Sequence, residues 1–425
     1  MPALLLDFLY LILAFFYLPN FLFRGKHRFG FKERLGIYDA KTKESISKSD
    51  SIIWLHAVSV GEVKAAAVLM EKLRLEFTGH KLVVSTVTST GNAVAKKMCA
   101  PEDIVIYLPF DLSFIVKKVF ALIKPKLLLI TETEIWPNLI MQAGKDKVPV
   151  VVVNGRISQK AFPRYRVLTG LFGPVLEKVD LFCMQTEKDV EKIIMLGAKK
   201  DRVHNTGNLK FDQIKCPQVV ANFKLDIKSD ELLIVAGSTH DKEESIIAHI
   251  FMRLQKEHSN LRLLIAPRHA YRAQKIGRML SGYGLNYVFT SKMCFEENKA
   301  NGKPVFLLDE IGVLNQFYAQ ADIVFVGGSL IAHGGQNPLE AAACSKPIVF
   351  GKYMFNFEEI CNILLKNQAA VSVDNEENLY EALNRLIKSG DLRKRLGKAA
   401  KITAENNRGC AQRILNLLQK VNRFS

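Results

Sequence analysis

The sequence predicts an α/β protein of two doubly wound parallel-sheet domains, and three observations predict it. The chain has 425 residues, more than one hydrophobic core usually supports. Two successive sets of short, β-branched apolar runs alternate with helical stretches. Between the sets, over residues 212–230, the pattern lapses into a polar stretch containing Cys216-Pro217.

The first set places strands at Ile52–His56, Leu82–Val87, Ile104–Leu108, Leu127–Thr131, Val148–Asn154 and Leu181–Gln185. The second places them at Leu232–Ala236, Leu261–Ala266, Leu285–Phe289, Val305–Leu308, Ile323–Val326, Pro347–Phe350 and Ala370–Val373. Continuous apolar runs suit parallel strands covered on both faces, and the connections are long enough for crossover helices. The expected organisation is a membrane anchor over 1–23, a Rossmann-like domain over 24–215, a linker over 216–230, a second Rossmann-like domain over 231–400 and a C-terminal helix over 401–425, free to pack back on the first domain. Two such domains are expected to face each other across a cleft, where ligands bind.

Ala3 to Phe23 is almost wholly apolar, broken by Asp7, Pro19 and Asn20, and Arg24, Lys26, Arg28, Lys32 and Arg34 follow at once. About 20 apolar residues span a bilayer, and a basic flank stays on the cytoplasmic side. An interfacial helix with its basic residues against lipid phosphates is the alternative. A cleaved signal peptide fits poorly, because the basic n-region is missing. Either reading holds the body at an inner-membrane surface, on its cytoplasmic face.

The formal net charge of +17 implies an acidic partner, and its spread along the chain favours an anionic membrane or phosphorylated substrate over nucleic acid. The seven Cys form no C-x-x-C pair and read as reduced thiols, not zinc ligands or a disulfide framework. Composition is otherwise that of a globular protein, at 48% hydrophobic and 24% charged residues.

Five segments carry residue types suited to chemistry. In Trp54–Glu62, Ser59 and Glu62 have the S-x-x-E spacing of a capping box. Glu62 equally suits a carboxylate at a strand's carboxyl end that takes a proton from an acceptor hydroxyl. Glu132 and Glu134 follow a buried-looking strand, so alternation points one into the site and one away. One of them is open to pairing with Arg156, or to stabilising positive charge on a sugar ring. Lys210, after the Gly207 turn, is either a solvated lysine or a neutraliser of phosphate or carboxylate. Arg268-His269 ends a strand with cationic groups fit for a phosphate.

The last segment, Gly327-Gly328-Ser329-Leu330 through His333–Ala342, offers a Gly-rich loop and a helix start with Asn337 as cap, Pro338 in the first position and Glu340 in the first turn. A helix N-terminus presents amides and partial positive charge to an anion, and Gly lets a phosphate approach the backbone. No P-loop, H-E-x-x-H, G-x-S-x-G or paired-Cys metal motif is present.

Taken together and in this order, Ser59-Val60-Gly61-Glu62, Glu132–Asn138, Gly207–Lys210, Pro267-Arg268-His269 and Gly335–Glu340 resemble the Kdo (3-deoxy-D-manno-octulosonic acid) transferase family of lipopolysaccharide assembly, over nearly the whole chain. The resemblance implies a GT-B glycosyltransferase that moves Kdo from CMP-Kdo to a phosphorylated lipid A precursor (lipid IVA), inverting the anomeric centre with no metal or cofactor required. It implies Glu62 as general base, with Glu132 and Lys210 stabilising the transition state. It implies donor contacts at Pro267, Arg268, His269, Ile311, Gly312, Val313, Asn337, Pro338, Leu339 and Glu340. The family commonly has an acidic residue where this chain has Val313, so a backbone contact survives there and a side-chain contact does not. The competing expectations are a GT-B lipid glycosyltransferase using a UDP-sugar, and a non-catalytic membrane-tethered nucleotide or lipid binder.

Overall fold

The structure, a computed structural model, describes residues 30–159, 161–292 and 303–421 together with Asp7. The anchor expected over 1–23 lies outside the described residues apart from Asp7. Among the described residues no helix is long and apolar enough to cross a membrane.

The chain forms two compact units, one of residues 1–213 with 408–425 and one of 214–407. The first unit holds a seven-stranded sheet of β1 (Ile52–His56), β2 (Lys81–Thr86), β3 (Ile104–Tyr107), β4 (Leu127–Thr131), β5 (Val150–Gly155), β6 (Leu181–Met184) and β7 (Val203–Asn205). Its strand order is β3-β2-β1-β4-β5-β6-β7, and every pairing is parallel. The second unit's sheet has β8 (Leu232–Thr239), β9 (Leu261–Pro267), β10 (Tyr287–Phe289), β11 (Val305–Leu307), β12 (Ile323–Val326), β13 (Ile348–Gly351) and β14 (Ala370–Val373). Its order is β10-β11-β9-β8-β12-β13-β14, again parallel throughout.

The apolar runs become parallel strands because helices bury both faces of each sheet. Side chains alternate across a strand, so Ile52 and Trp54 of β1 enter one core and Ile53 and Leu55 enter the other. In each sheet the order reverses at one place, between β1 and β4 and between β8 and β12. Strand ends diverge at such a switch point and leave a crevice at their carboxyl edge.

Three sequence readings are corrected here. The strand β7 was not expected, because Val203-His204-Asn205 supplies only one buried side chain. Residues 216–230 belong to the second unit: Val220 N–H donates to Gln316 Oε1 at 2.9 Å, and Leu225 N–H to Gln320 Oε1 at 2.9 Å. Cys216 and Cys344, read as reduced thiols, are joined in a disulfide with Cα atoms 4.9 Å apart. They are 128 residues apart in sequence, so no local spacing announces the pair. Cys99, Cys183, Cys361 and Cys410 are free thiols, and Cys294 lies outside the described residues.

After the second unit the chain returns to the first. The Asp212 carboxylate accepts from the amides of Gly409 (2.6 Å), Cys410 (3.3 Å) and Ala411 (2.7 Å), capping the helix Cys410–Leu418. That helix buries Cys410, Ala411, Ile414, Leu415 and Leu418 in the core of the first sheet.

Candidate active site

Both switch points carry the side chains singled out in the sequence. In the first unit, β1 ends at His56 and the helix Val60–Glu76 begins four residues later, with extended Ser59 as its cap. The Ser59 hydroxyl does not take the helix amide. It donates to Glu62 Oε1 at 2.9 Å, while Val58 N–H donates to Oε2 at 2.8 Å. Thr131 Oγ1, at the end of β4, lies 3.3 Å from Oε2 and donates to the His56 carbonyl at 2.7 Å.

Glu62 is thus held by the turn, as a cap would be, yet it is only 7% exposed and has no cationic partner among the described residues. Burial pushes its pKa up to about 7, the Val58 amide opposes this, and the negative charges of Glu132 and Glu134 add to the rise. A carboxylate serving only as a cap is held by amides in its charged form, and its pKa falls. Here the proton is retained near neutrality, which is where a general base is efficient.

Glu132 follows β4 with φ +56°, a left-handed backbone that costs a non-glycine residue about 1–2 kcal/mol. Its amide donates to Val153 O at 2.9 Å, so the sheet holds the strain in place. Glu134 has its pKa raised by burial and by Glu132. The pairing with Arg156 left open by the sequence is not formed among the described residues. Instead, Arg156 N–H donates to Thr133 Oγ1 at 2.9 Å, and that hydroxyl donates back to the Arg156 carbonyl at 2.7 Å. Three carboxylates, Glu62, Glu132 and Glu134, therefore share one electrostatic neighbourhood.

Lys210 sits in the short turn Leu209–Phe211 after Gly207, whose φ is +84°. Asn208 Oδ1 accepts the Lys210 amide at 3.0 Å, and Asn154 Oδ1 accepts the Leu209 amide at 2.9 Å. The turn packs against the helix that carries Glu62, with Leu209 and Val63 in one core.

Two features of this edge escaped the sequence reading. His56 is fully buried with Nδ1 3.0 Å from Ser85 Oγ, and burial drives its pKa down to about 3, so it stays neutral beside Trp136. Asp7 accepts from Ser113 N–H (2.9 Å), Ser113 Oγ (2.5 Å) and Asn138 Nδ2 (3.0 Å), and Asp111 caps the helix Pro137–Lys145 through the Asn138 and Leu139 amides (3.0 and 2.8 Å). An acid inside an apolar run was the available signal for Asp7; nothing local marks His56.

In the second unit, the segments after β8, β9, β11 and β12 all leave the sheet at its carboxyl edge. Arg268 and His269 are exposed, and the Arg268 amide donates to Thr239 O at 2.9 Å, drawing the Pro267 end of β9 beside β8. Ile311 is 86% exposed, Gly312 has φ +90°, and Val313 precedes the helix Leu314–Gln320. Asn337 Oδ1 accepts the Leu339 amide at 3.1 Å. The helix runs Leu339–Ala343, so Pro338 is the flanking residue, one position later than the sequence suggested, and exposed Glu340 lies in the first turn.

The sequence missed His240 and Glu243. The His240 ring lies 3.7 Å from that of His333 and 6.3 Å from that of His269, and Gln336 Nε2 is 3.2 Å from its Nε2. Burial first, and then the positive charges of His333, His269, Arg272 and Arg268, together lower its pKa to about 4. Glu243 corrects the expected use of the Gly-rich loop. Its carboxylate already accepts from the amides of Gly328 (2.6 Å), Ser329 (2.9 Å) and Leu330 (3.0 Å), so these are not open to an anion. Gly327 is required for a different reason: a Cβ there would sit 2.6 Å from Thr239 Cα on the adjoining strand.

Two all-parallel sheets, each with one switch point, together with the family match over the second unit, place the chain among two-unit glycosyltransferases of GT-B-like fold. Residues 221–403 match the family of group 1 glycosyl transferases. The fold is shared with UDP-GlcNAc 2-epimerase from Neisseria meningitidis, at TM-score 0.59 and 13% identity over 87% of this chain and 100% of that one. Residues 29–213 match the 3-deoxy-D-manno-octulosonic-acid transferase family. The chain is 34% identical to the 3-deoxy-D-manno-octulosonic acid transferase of Haemophilus influenzae over 86% of each protein. It is also 38% identical to a bifunctional glycosyltransferase/methyltransferase of Fusobacterium nucleatum, spanning 52% of that protein's length. The chain belongs to the Kdo transferase family, and it is a glycosyltransferase.

Proposed function

We propose that the enzyme moves Kdo from CMP-Kdo to a phosphorylated lipid A precursor, with inversion and without a metal. The observation that carries this reading is Glu62: a buried carboxylate at the switch point of the first sheet, with its pKa pushed up to about 7. Such a group takes the proton of an acceptor hydroxyl as the new glycosidic bond forms. Loss of CMP leaves positive charge on the sugar, which negative charge at Glu132 stabilises. Lys210 is assigned to neutralising the leaving phosphate or the Kdo carboxylate.

In the second unit, Arg268, His269 and the Asn337–Glu340 turn are assigned to CMP, with Pro267 and the Ile311–Val313 segment bordering the donor. The donor carries a single phosphodiester that leaves as the monoester CMP, and cationic side chains and amides are assigned to its charge without a metal. The apolar stretch before residue 24 and the basic residues after it support an enzyme held at the cytoplasmic face of the inner membrane, where the acceptor resides.

Incubation of the full chain with CMP-Kdo and lipid IVA is expected to give a product one Kdo heavier, or more, by mass spectrometry, with release of CMP. CMP is expected to raise the thermal midpoint and UDP to leave it unchanged. Stabilisation by UDP, with no transfer from CMP-Kdo, sinks the reading.

A further inference from the structure

Glu243 is a fully buried carboxylate at the start of the helix Glu243–Glu257 with no cationic partner among the described residues. Its two oxygens take four backbone amides: Ser329 and Leu330 donate to Oε1 at 2.9 and 3.0 Å, and Gly328 and His240 donate to Oε2 at 2.6 and 3.0 Å. Those amides belong to two loops, the one after β8 and the one after β12, which meet at the second sheet's switch point. The carboxylate stands where a bound anion would, inside the Gly-Gly-Ser-Leu turn.

We propose that Glu243 is a positioning residue for the donor: it occupies the Gly328–Leu330 amides as a built-in anion and ties them to His240, so the donor phosphate is met by His240, Arg268 and His269 and not by the Gly-rich turn. This rests on the reading that the second unit binds a CMP-sugar. The His240 ring already lies 3.7 Å from the His333 ring and 6.3 Å from the His269 ring. Fixing its backbone through Glu243 sets that ring's position before any ligand arrives. Burial raises the pKa of Glu243, and the four amides oppose that rise without cancelling it.

The first test needs no variant. Hydrogen exchange over residues 327–331 of the intact enzyme is expected to be slow, at least about 10³-fold protected, and to change less than about twofold on adding CMP. Fast exchange that slows on adding CMP means the phosphate takes these amides, and overturns the proposal. In the second test, Glu243→Gln places an NH2 group against amides that need an acceptor. The KM for CMP-Kdo is expected to rise about tenfold or more, with kcat within about threefold and the thermal midpoint of the folded variant retained. An unchanged KM, or a loss confined to kcat, overturns it. Arg268→Ala is expected to weaken CMP binding about tenfold. If CMP binds nowhere, the CMP-sugar reading fails on its own, whereas protection of the 327–331 amides still reports on Glu243.

Discussion

At the scale of the residue, the decisive quantity is the proton on Glu62. The carboxyl is neutral below about pH 7, because burial and the neighbouring carboxylates disfavour its charge, and it accepts a proton only once ionised. Transfer is therefore expected to rise with pH through about 7 and then to level, an ascending limb visible in kcat/KM. Glu62→Ala is expected to lower kcat by about 10²–10⁴ with the fold intact by circular dichroism. A variant with near-normal turnover removes Glu62 from the chemistry. The sequence made this residue visible but not its state. Ser59-x-x-Glu62 spacing fits a cap and a base alike, and the structure shows a carboxylate bonded by the turn and starved of solvent at once. Glu243 was illegible for the opposite reason. Its four donors come from two loops, at His240 and at Gly328–Leu330, that stand more than 80 residues apart in the chain, and no local pattern encodes that meeting.

At the scale of the element, strands were readable and their ends were not. The strands β1, β4, β12 and β14 stand where their apolar runs place them, because burial on both faces leaves an unbroken hydrophobic signal. The extension of β8 through Gly237, Ser238 and Thr239 has no such signal, since small polar residues there follow the close approach of β12. Gly327 marks that approach. Gly327→Ala forces a methyl against Thr239 Cα and Ser238 O, both backbone atoms that cannot swing aside. The variant is expected to lose about 1–3 kcal/mol, or more, in urea unfolding monitored on the second unit. It is also expected to weaken CMP binding, because Ser238 and Thr239 lead directly into His240.

At the scale of the whole molecule, two devices hold distant parts of the chain together, and neither is legible as a motif. The disulfide ties the segment after residue 213 to Cys344, just past the helix Leu339–Ala343. A closed loop with a sequence separation of 128 removes about 5 kcal/mol of chain entropy from the unfolded second unit. Cys216→Ser in the oxidised protein is expected to lower the thermal midpoint of that unit by several degrees and to leave the first unit's unchanged, as read by calorimetry. Equal midpoints with and without reductant in the unaltered protein would show that the bond contributes nothing.

The other device is the helix Cys410–Leu418, which the Asp212 carboxylate caps from the middle of the chain. A ribosome that has delivered the first 213 residues has delivered every strand of the first sheet but not the helix that seals one of its cores. Val63, Ala66 and Leu209 share that core, so their apolar surface lacks its cover until residues 410–418 have been made. The core that bears Glu62 is therefore closed only after the whole second unit has been synthesised, and a chain stopped at residue 213 is expected to leave that apolar face open.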